Sequence, residues 1–234
     1  MLSVRAEKEK EKKKKEKKAK KERKYKMKEK PKCVLVLGGP GTGKTRYYVA
    51  PLLLDFSCSF VVFDAGGALA ASFAPMLETA GYEVVLTDDQ KGKPKADRKK
   101  RQAYFISGKN PDAEMLVEKL YHEMLASSGV PVRFVLDDFG HLPAMPFLAD
   151  MAAMGKEGDI STYIVIQHLA QFQTLYGSDA ERIIAACSSI VLYNRHMSDA
   201  DRSVPDCFEI TSSELRRVDP DYAGTLGLII KEAA

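Results

Sequence analysis

The chain has 234 residues, 45% of them hydrophobic and 29% charged, which suits one domain of moderate size with a real core. Its four cysteines (Cys33, Cys58, Cys187, Cys207) lie far apart, without a CxxC pair, which excludes a disulfide scaffold or a zinc finger and reads them as small hydrophobes in a reducing compartment. No apolar run reaches the roughly 20 residues that span a bilayer, and the N-terminus lacks the apolar core of a signal peptide.

The net charge of +4 hides a split. Residues 1–32 carry a net +11, and the remaining 202 carry a net −7. A basic Lys/Glu-rich arm, helical or disordered, is therefore expected over 1–32, and a mildly acidic domain over 33–234. Within the arm, Glu7–Lys10, Glu11–Lys15 and Glu16–Lys20 are spaced for helical pairing, but there is no apolar stripe to join a core. Such an arm either contacts a polyanion (nucleic-acid phosphate or an anionic membrane surface) or serves as a solubilising tail. Pro31 closes it before the first strand.

Cys33–Leu37 is a short apolar run suited to a strand buried on both faces. Gly38, Gly39, Pro40, Gly41, Thr42, Gly43, Lys44 and Thr45 follow, matching G-x-x-x-x-G-K-[ST] without a gap. Glycines in such a loop let successive N–H groups turn inward on phosphate oxygens, and a following helix, expected over 44–54, adds its positive end. Lys44 is the residue to reach the β- and γ-phosphates, the Thr45 hydroxyl is a ligand for Mg²⁺, and Arg46 continues the binding segment. The spacing thus predicts ATP with Mg²⁺ as cofactors.

Phe60–Phe63 reads as a second strand ending at Asp64, followed by a helix over 67–80 and a strand over 83–86. Residues 88–102 hold seven basic side chains and read as a polar loop. A helix is expected over 113–126, then a strand from Val132 that ends in Asp137 and Asp138. A carboxylate there completes the Mg²⁺ shell through water, the role given to Asp137; Asp138 is placed to orient or deprotonate the attacking water. Motor ATPases generally carry Glu at that second position. Asp is shorter by a methylene, and a misplacement on the order of 1 Å can cost about a hundredfold in rate, so slow hydrolysis is expected.

Further helices are expected over 143–154 and 169–186, with strands over 163–166, 189–192 and 226–230. Gln167 ends the first of these strands and is placed to sense the γ-phosphate. Strands alternating with helices predict an α/β fold with a mainly parallel central sheet flanked by helices on both faces. In such a sheet ligand groups gather at the C-terminal strand ends, where Gly38–Thr45, Asp64, Asp137, Asp138, Gln167 and Arg195 all fall. The four histidines show no metal spacing.

Thr45-Arg46-Tyr47-Tyr48, Phe60-Val-Val-Phe-Asp64, Pro131-Val-Arg-Phe-Val-Leu-Asp-Asp-Phe139 and Tyr163-Ile-Val-Ile-Gln-His-Leu-Ala-Gln171 resemble the TraG/TraD-type coupling ATPases of type IV secretion and conjugation. Leu175-Tyr-Gly177 and Ile183-Ile-Ala-Ala-Cys187 are similar to the same family. The resemblance implies a RecA-like P-loop NTPase that assembles as a hexameric ring, binds ATP between subunits and moves single-stranded DNA with its relaxase, or effector proteins, toward a secretion channel. The family's membrane helices and most of its all-helical domain have no counterpart in this sequence. The family's Asp-Pro-Lys-Gly-Glu stands here as Asp64-Ala65-Gly66-Gly67-Ala68, and its Arg-Ser-Arg-Gly as Gly155-Lys156-Glu157-Gly158.

The leading expectation is an ATP-hydrolysing, coupling-protein-like ATPase, cytoplasmic or peripheral at the inner face of the membrane, with Lys44, Asp137, Asp138 and Gln167 as its catalytic set. The alternatives are a nucleotide-regulated adaptor that hydrolyses little, and an FtsK/HerA-like DNA pump.

Overall fold

Five consecutive apolar residues suit a strand covered on both sides, and β1 (Cys33–Leu37) is buried at every position. A computed structural model of the chain describes residues 33–87, 95–138, 144–154, 159–194 and 206–210. The basic arm, the strand expected over 226–230, Lys156 and Arg195 lie outside the described residues.

The helix expected over 44–54 opens as a wide turn, Thr45–Val49, in which the Ala50 N–H reaches back five residues to the Thr45 carbonyl. It then runs into Ala50–Leu53, and the two pieces together are α1. Pro51 explains the widening: it has no N–H to donate, and its ring crowds the carbonyl four residues back. β2 (Ser59–Asp64), α2 (Ala68–Thr79) and β3 (Glu83–Leu86) follow near their expected places. Next come β4 (Gln102–Ser107), α3 (Ala113–Leu125), β5 (Val132–Asp137) and α4 (Leu148–Met154). The chain continues through β6 (Ile160–Ile166), α5 (Leu169–Tyr176), α6 (Ser178–Ala186), β7 (Ser189–Asn194) and β8 (Asp206–Ile210).

Eight strands form one sheet in the order β3-β4-β2-β5-β6-β1-β7-β8. The first seven in that order run parallel, and only β8 pairs antiparallel, on β7. The expected α/β fold is therefore present, and β1, β2 and β4 to β7 each split their side chains between two cores. Val34, Val36, Val62, Phe105, Val135 and Val165 pack with α1 and α2 on one face. Leu35, Leu37, Val61, Tyr104, Phe134 and Ile164 pack with α3, α4, α5 and α6 on the other.

Three expectations need correction. The helix expected over 169–186 is two helices, because Gly177 at φ +52 and ψ −126 takes a backbone conformation that ends α5 and starts α6. The helix expected from 143 begins at Leu148. β4 occupies the stretch from Gln102, where only a polar loop was expected to end; its tyrosine is buried because the hydroxyl bonds to the Lys95 carbonyl and to Gln102 Oε1, both at 2.6 Å. β8 was not foreseen either.

The basic loop is also partly structural. Arg98 donates to the carbonyls of Met124, Ser127 and Val130, closing the end of α3. Arg101 donates to the Phe56 and Ala80 carbonyls and lies over the Tyr82 ring. Cys33 and Cys187, 154 positions apart in sequence, bring their buried sulfurs to 3.2 Å.

Candidate nucleotide site

The strand order sets the site. β6, which is followed directly by Gln167, lies between β1 and β5, so the Gly-rich loop after β1 and the acids ending β5 flank it. Gly38 passes so close to β7 that a Cβ there would meet Tyr193 Cβ at 2.8 Å and the Tyr193 carbonyl at 2.9 Å. Gly41 and Gly43 adopt φ of +73° and +88°, which turn the loop tightly before α1. Thr42 Oγ1 donates to the Gly39 carbonyl at 2.8 Å and pins the turn.

Lys44 is buried, and its Nζ donates to the carbonyls of Gly38 and Gly39. Burial lowers its pKa, against the opposing pull of the charges on Asp137 and Asp138. Thr45 Oγ1 donates to Asp137 Oδ2 at 3.3 Å across 92 positions of sequence. Burial, reinforced by the neighbouring charge of Asp138, raises the Asp137 carboxyl to about 6; the Thr45 hydrogen bond and Lys44 act the other way, and Asp64 adds to the rise. Asp138 sits at φ +52, an unusual backbone for a residue with a Cβ though one that Asp tolerates, and Gln167 Nε2 donates to its Oδ1 at 2.5 Å. Thr45 and Arg46 are exposed, and the Arg46 guanidinium lies over the Tyr47 ring, 5.5 Å from its centroid.

Asp64 stands in register with Asp137 on the adjacent strand. Its carboxylate is already engaged, accepting from the Ala70 N–H at 2.8 Å and capping α2. His168 begins the turn into α5, and His122 is on α3; His141 and His196 lie outside the described residues.

The residues present fit a nucleotide with Mg²⁺. Gly38 has no room for a side chain beside β7, Gly41 and Gly43 turn the loop through positive φ, and a buried cation faces two carboxylates. Among the described residues no group of three or more His, Cys, Asp or Glu could cage a metal. Mg²⁺ keeps several waters and takes one or two protein oxygens beside those of a phosphate, and the adjoining Thr45 hydroxyl and Asp137 carboxylate are of that kind.

Reading from residues missed Arg133. A guanidinium at the second position of a strand that is otherwise apolar up to Asp137 was the available signal, since such a charge is buried only when partnered.

The sheet order, the loop and the paired strand-end acids define a RecA-like P-loop α/β fold. Two family models match side by side: "Type IV secretory system Conjugative DNA transfer" over residues 3–99, and "TraM recognition site of TraD and TraG" over residues 131–203. The chain belongs to the TraG/TraD-type coupling protein family of type IV secretion and conjugative DNA transfer. Among solved structures, a bacterial conjugative coupling protein, TrwBdeltaN70 in its unbound monoclinic form, aligns at 15% identity over 58% of this chain, with a TM-score of 0.35. The aligned part spans 42% of that chain, and at this TM-score the family assignment rests on the two models alone. No curated protein matches the chain.

Proposed function

We propose that the chain is the ATP-binding and ATP-hydrolysing core of a coupling protein in conjugative or type IV transfer of DNA or protein. One observation carries the reading: Thr45 bonds Asp137 and Gln167 bonds Asp138 beside Lys44, so residues from three separate stretches meet at one end of the sheet.

The Gly38–Lys44 backbone cradles the triphosphate, and Arg46 flanks it. Lys44 leaves the Gly38 and Gly39 carbonyls to neutralise the β- and γ-phosphates. Thr45 and Asp137 hold Mg²⁺, which when bound offsets charge on the phosphate oxygens. Asp138 orients the attacking water and accepts its proton, and Gln167 reads whether the γ-phosphate is present. The family supports a homo-oligomeric ring, with single-stranded DNA, its relaxase or channel components as partners. Among the described residues no helix is long and apolar enough to cross a membrane. The chain is assigned to the cytoplasm, with a basic arm over 1–32 available for contact with the membrane's inner face, ahead of an ATPase domain over 33–234.

Phosphate release by the wild type and by Lys44→Ala tests the assignment. Loss of turnover in the variant is expected; equal rates overturn it. A second reading, a nucleotide-regulated adaptor, is favoured by Asp138 being one methylene short of Glu and bonded to Gln167. Tight ATP binding with no phosphate release, even with single-stranded DNA present, would select the adaptor.

A further inference from the structure

Arg133 sits four residues before Asp137 on β5. Phe134 and Leu136 belong to the core on the α3–α6 side, and Val135 to the core on the α1 side. By strand alternation Arg133, Val135 and Asp137 all face α1. Arg133 Nη1 donates to the Leu52 carbonyl at 3.0 Å, and Nη2 to Asp55 Oδ2 at 2.5 Å. Asp137 accepts from Thr45 at the opposite end of the same helix. The two spans agree: four strand residues cover roughly 13 Å, and the seven steps from Thr45 to Leu52 cover roughly 10 Å of helix. β5 therefore grips α1 at both ends.

From this the geometry points to Arg133 as a positioning residue, one that holds α1 on β5 so that the Thr45 hydroxyl meets the Asp137 carboxylate where Mg²⁺ is bound. The inference rests on the nucleotide-site reading above. Two features separate it from ordinary core packing. The wide turn Thr45–Val49 interrupts the regular ladder between the phosphate loop and the end of α1, so the phase of Thr45 is not dictated by the helix alone. The Arg133 side chain is 8% exposed while Asp55 is 47% exposed, and such an ion pair is a poor source of net stability. Burial pulls the Arg133 pKa down most strongly, but the Asp55 hydrogen bond together with the neighbouring charges of Cys58, Tyr163 and Asp55 raises it on balance, so the cation stays charged. A permanent cation on the Leu52 carbonyl also complements the negative C-terminal end of α1.

The experiment measures ATP affinity in Mg²⁺ and again in EDTA for wild type, Arg133→Met, Arg133→Lys and Asp55→Asn. In Arg133→Met the gain in affinity from Mg²⁺ is expected to fall about ten- to a hundredfold, the usual cost of removing an outer-shell support of a metal site. Its affinity in EDTA should stay within about twofold of wild type, because the Gly-rich loop is untouched. Arg133→Lys, with one ammonium in place of a two-pronged donor, should lie between. Asp55→Asn, at a half-exposed position remote from the loop, should fold and lose part of the gain; it carries the test if Arg133→Met does not fold. Amide exchange over Thr45–Leu53 in the nucleotide-free protein should quicken in the same order. A full Mg²⁺-dependent gain in the folded variants, or an equal loss with and without Mg²⁺, overturns the positioning role. A wild type that binds ATP in neither condition instead overturns the nucleotide reading, and this inference with it.

Discussion

At the candidate site, the environment of Asp137 changes its chemistry. Its carboxyl, ordinarily near 3.8, is raised to about 6 by burial and by the charge of Asp138. An unfolded chain therefore ionises Asp137 at lower pH than the folded one. Its contribution to stability is present below about pH 4 and is lost as pH rises through about 6. A metal needs the ionised form, so affinity should move in the opposite direction to that stability. The Mg²⁺-dependent part of ATP affinity is expected to drop as pH falls from 7 to 5, and Asp137→Asn should abolish both that part and its pH dependence. Titrating ATP with and without Mg²⁺ at three pH values checks this; a flat profile in the wild type refutes it.

Among the elements, the break between α5 and α6 depends on one residue. Gly177 adopts φ +52 and ψ −126, and nothing lies within 4 Å of a Cβ built there, so the cost of a side chain is backbone strain and not a clash. The break is needed because Leu169, Phe172 and Tyr176 of α5 and Ala180, Ile183 and Ile184 of α6 must all reach the same core. Gly177→Ala should destabilise the fold by about 1–3 kcal/mol, the usual cost of a residue held in a sparsely populated backbone region. Urea unfolding measures it, and an unchanged midpoint would show that the two helices straighten into one without penalty. The apolar spacing continues across Gly177, which is why the sequence alone predicts a single helix through 169–186. An isolated glycine within a helical pattern does not by itself declare a break.

For the molecule as a whole, charge is divided between the basic segment 1–32 and the acidic remainder. If the basic segment meets phosphate, affinity for a single-stranded oligonucleotide falls with salt by about 0.7 log units per log unit for each phosphate contacted. Deleting residues 1–30 should weaken that binding and flatten the slope. An identical slope would make the segment a passive, solubilising tail.

The local signals declared themselves in the sequence. An apolar run that stops at Gly38, a lysine followed by a threonine, and a strand that ends in two aspartates fix the chemistry of each piece, because a phosphate loop and a metal-facing carboxylate are set by residue type and spacing over fewer than ten positions. Only the tertiary structure decided which pieces meet. The insertion of β6 between β1 and β5, the bond from Thr45 to Asp137, the pairing of Asp138 with Gln167 and the contact of Cys33 with Cys187 span 29 to 154 positions. The same holds for Asp64, which stands at the strand ends as the sequence places it but spends its carboxylate on α2, and for Arg133, which looks out of place on an apolar strand until α1 lies across it. Periodicity reports which face of an element is apolar. It carries no information on which neighbour covers that face, and that choice is made by the packing of the whole sheet.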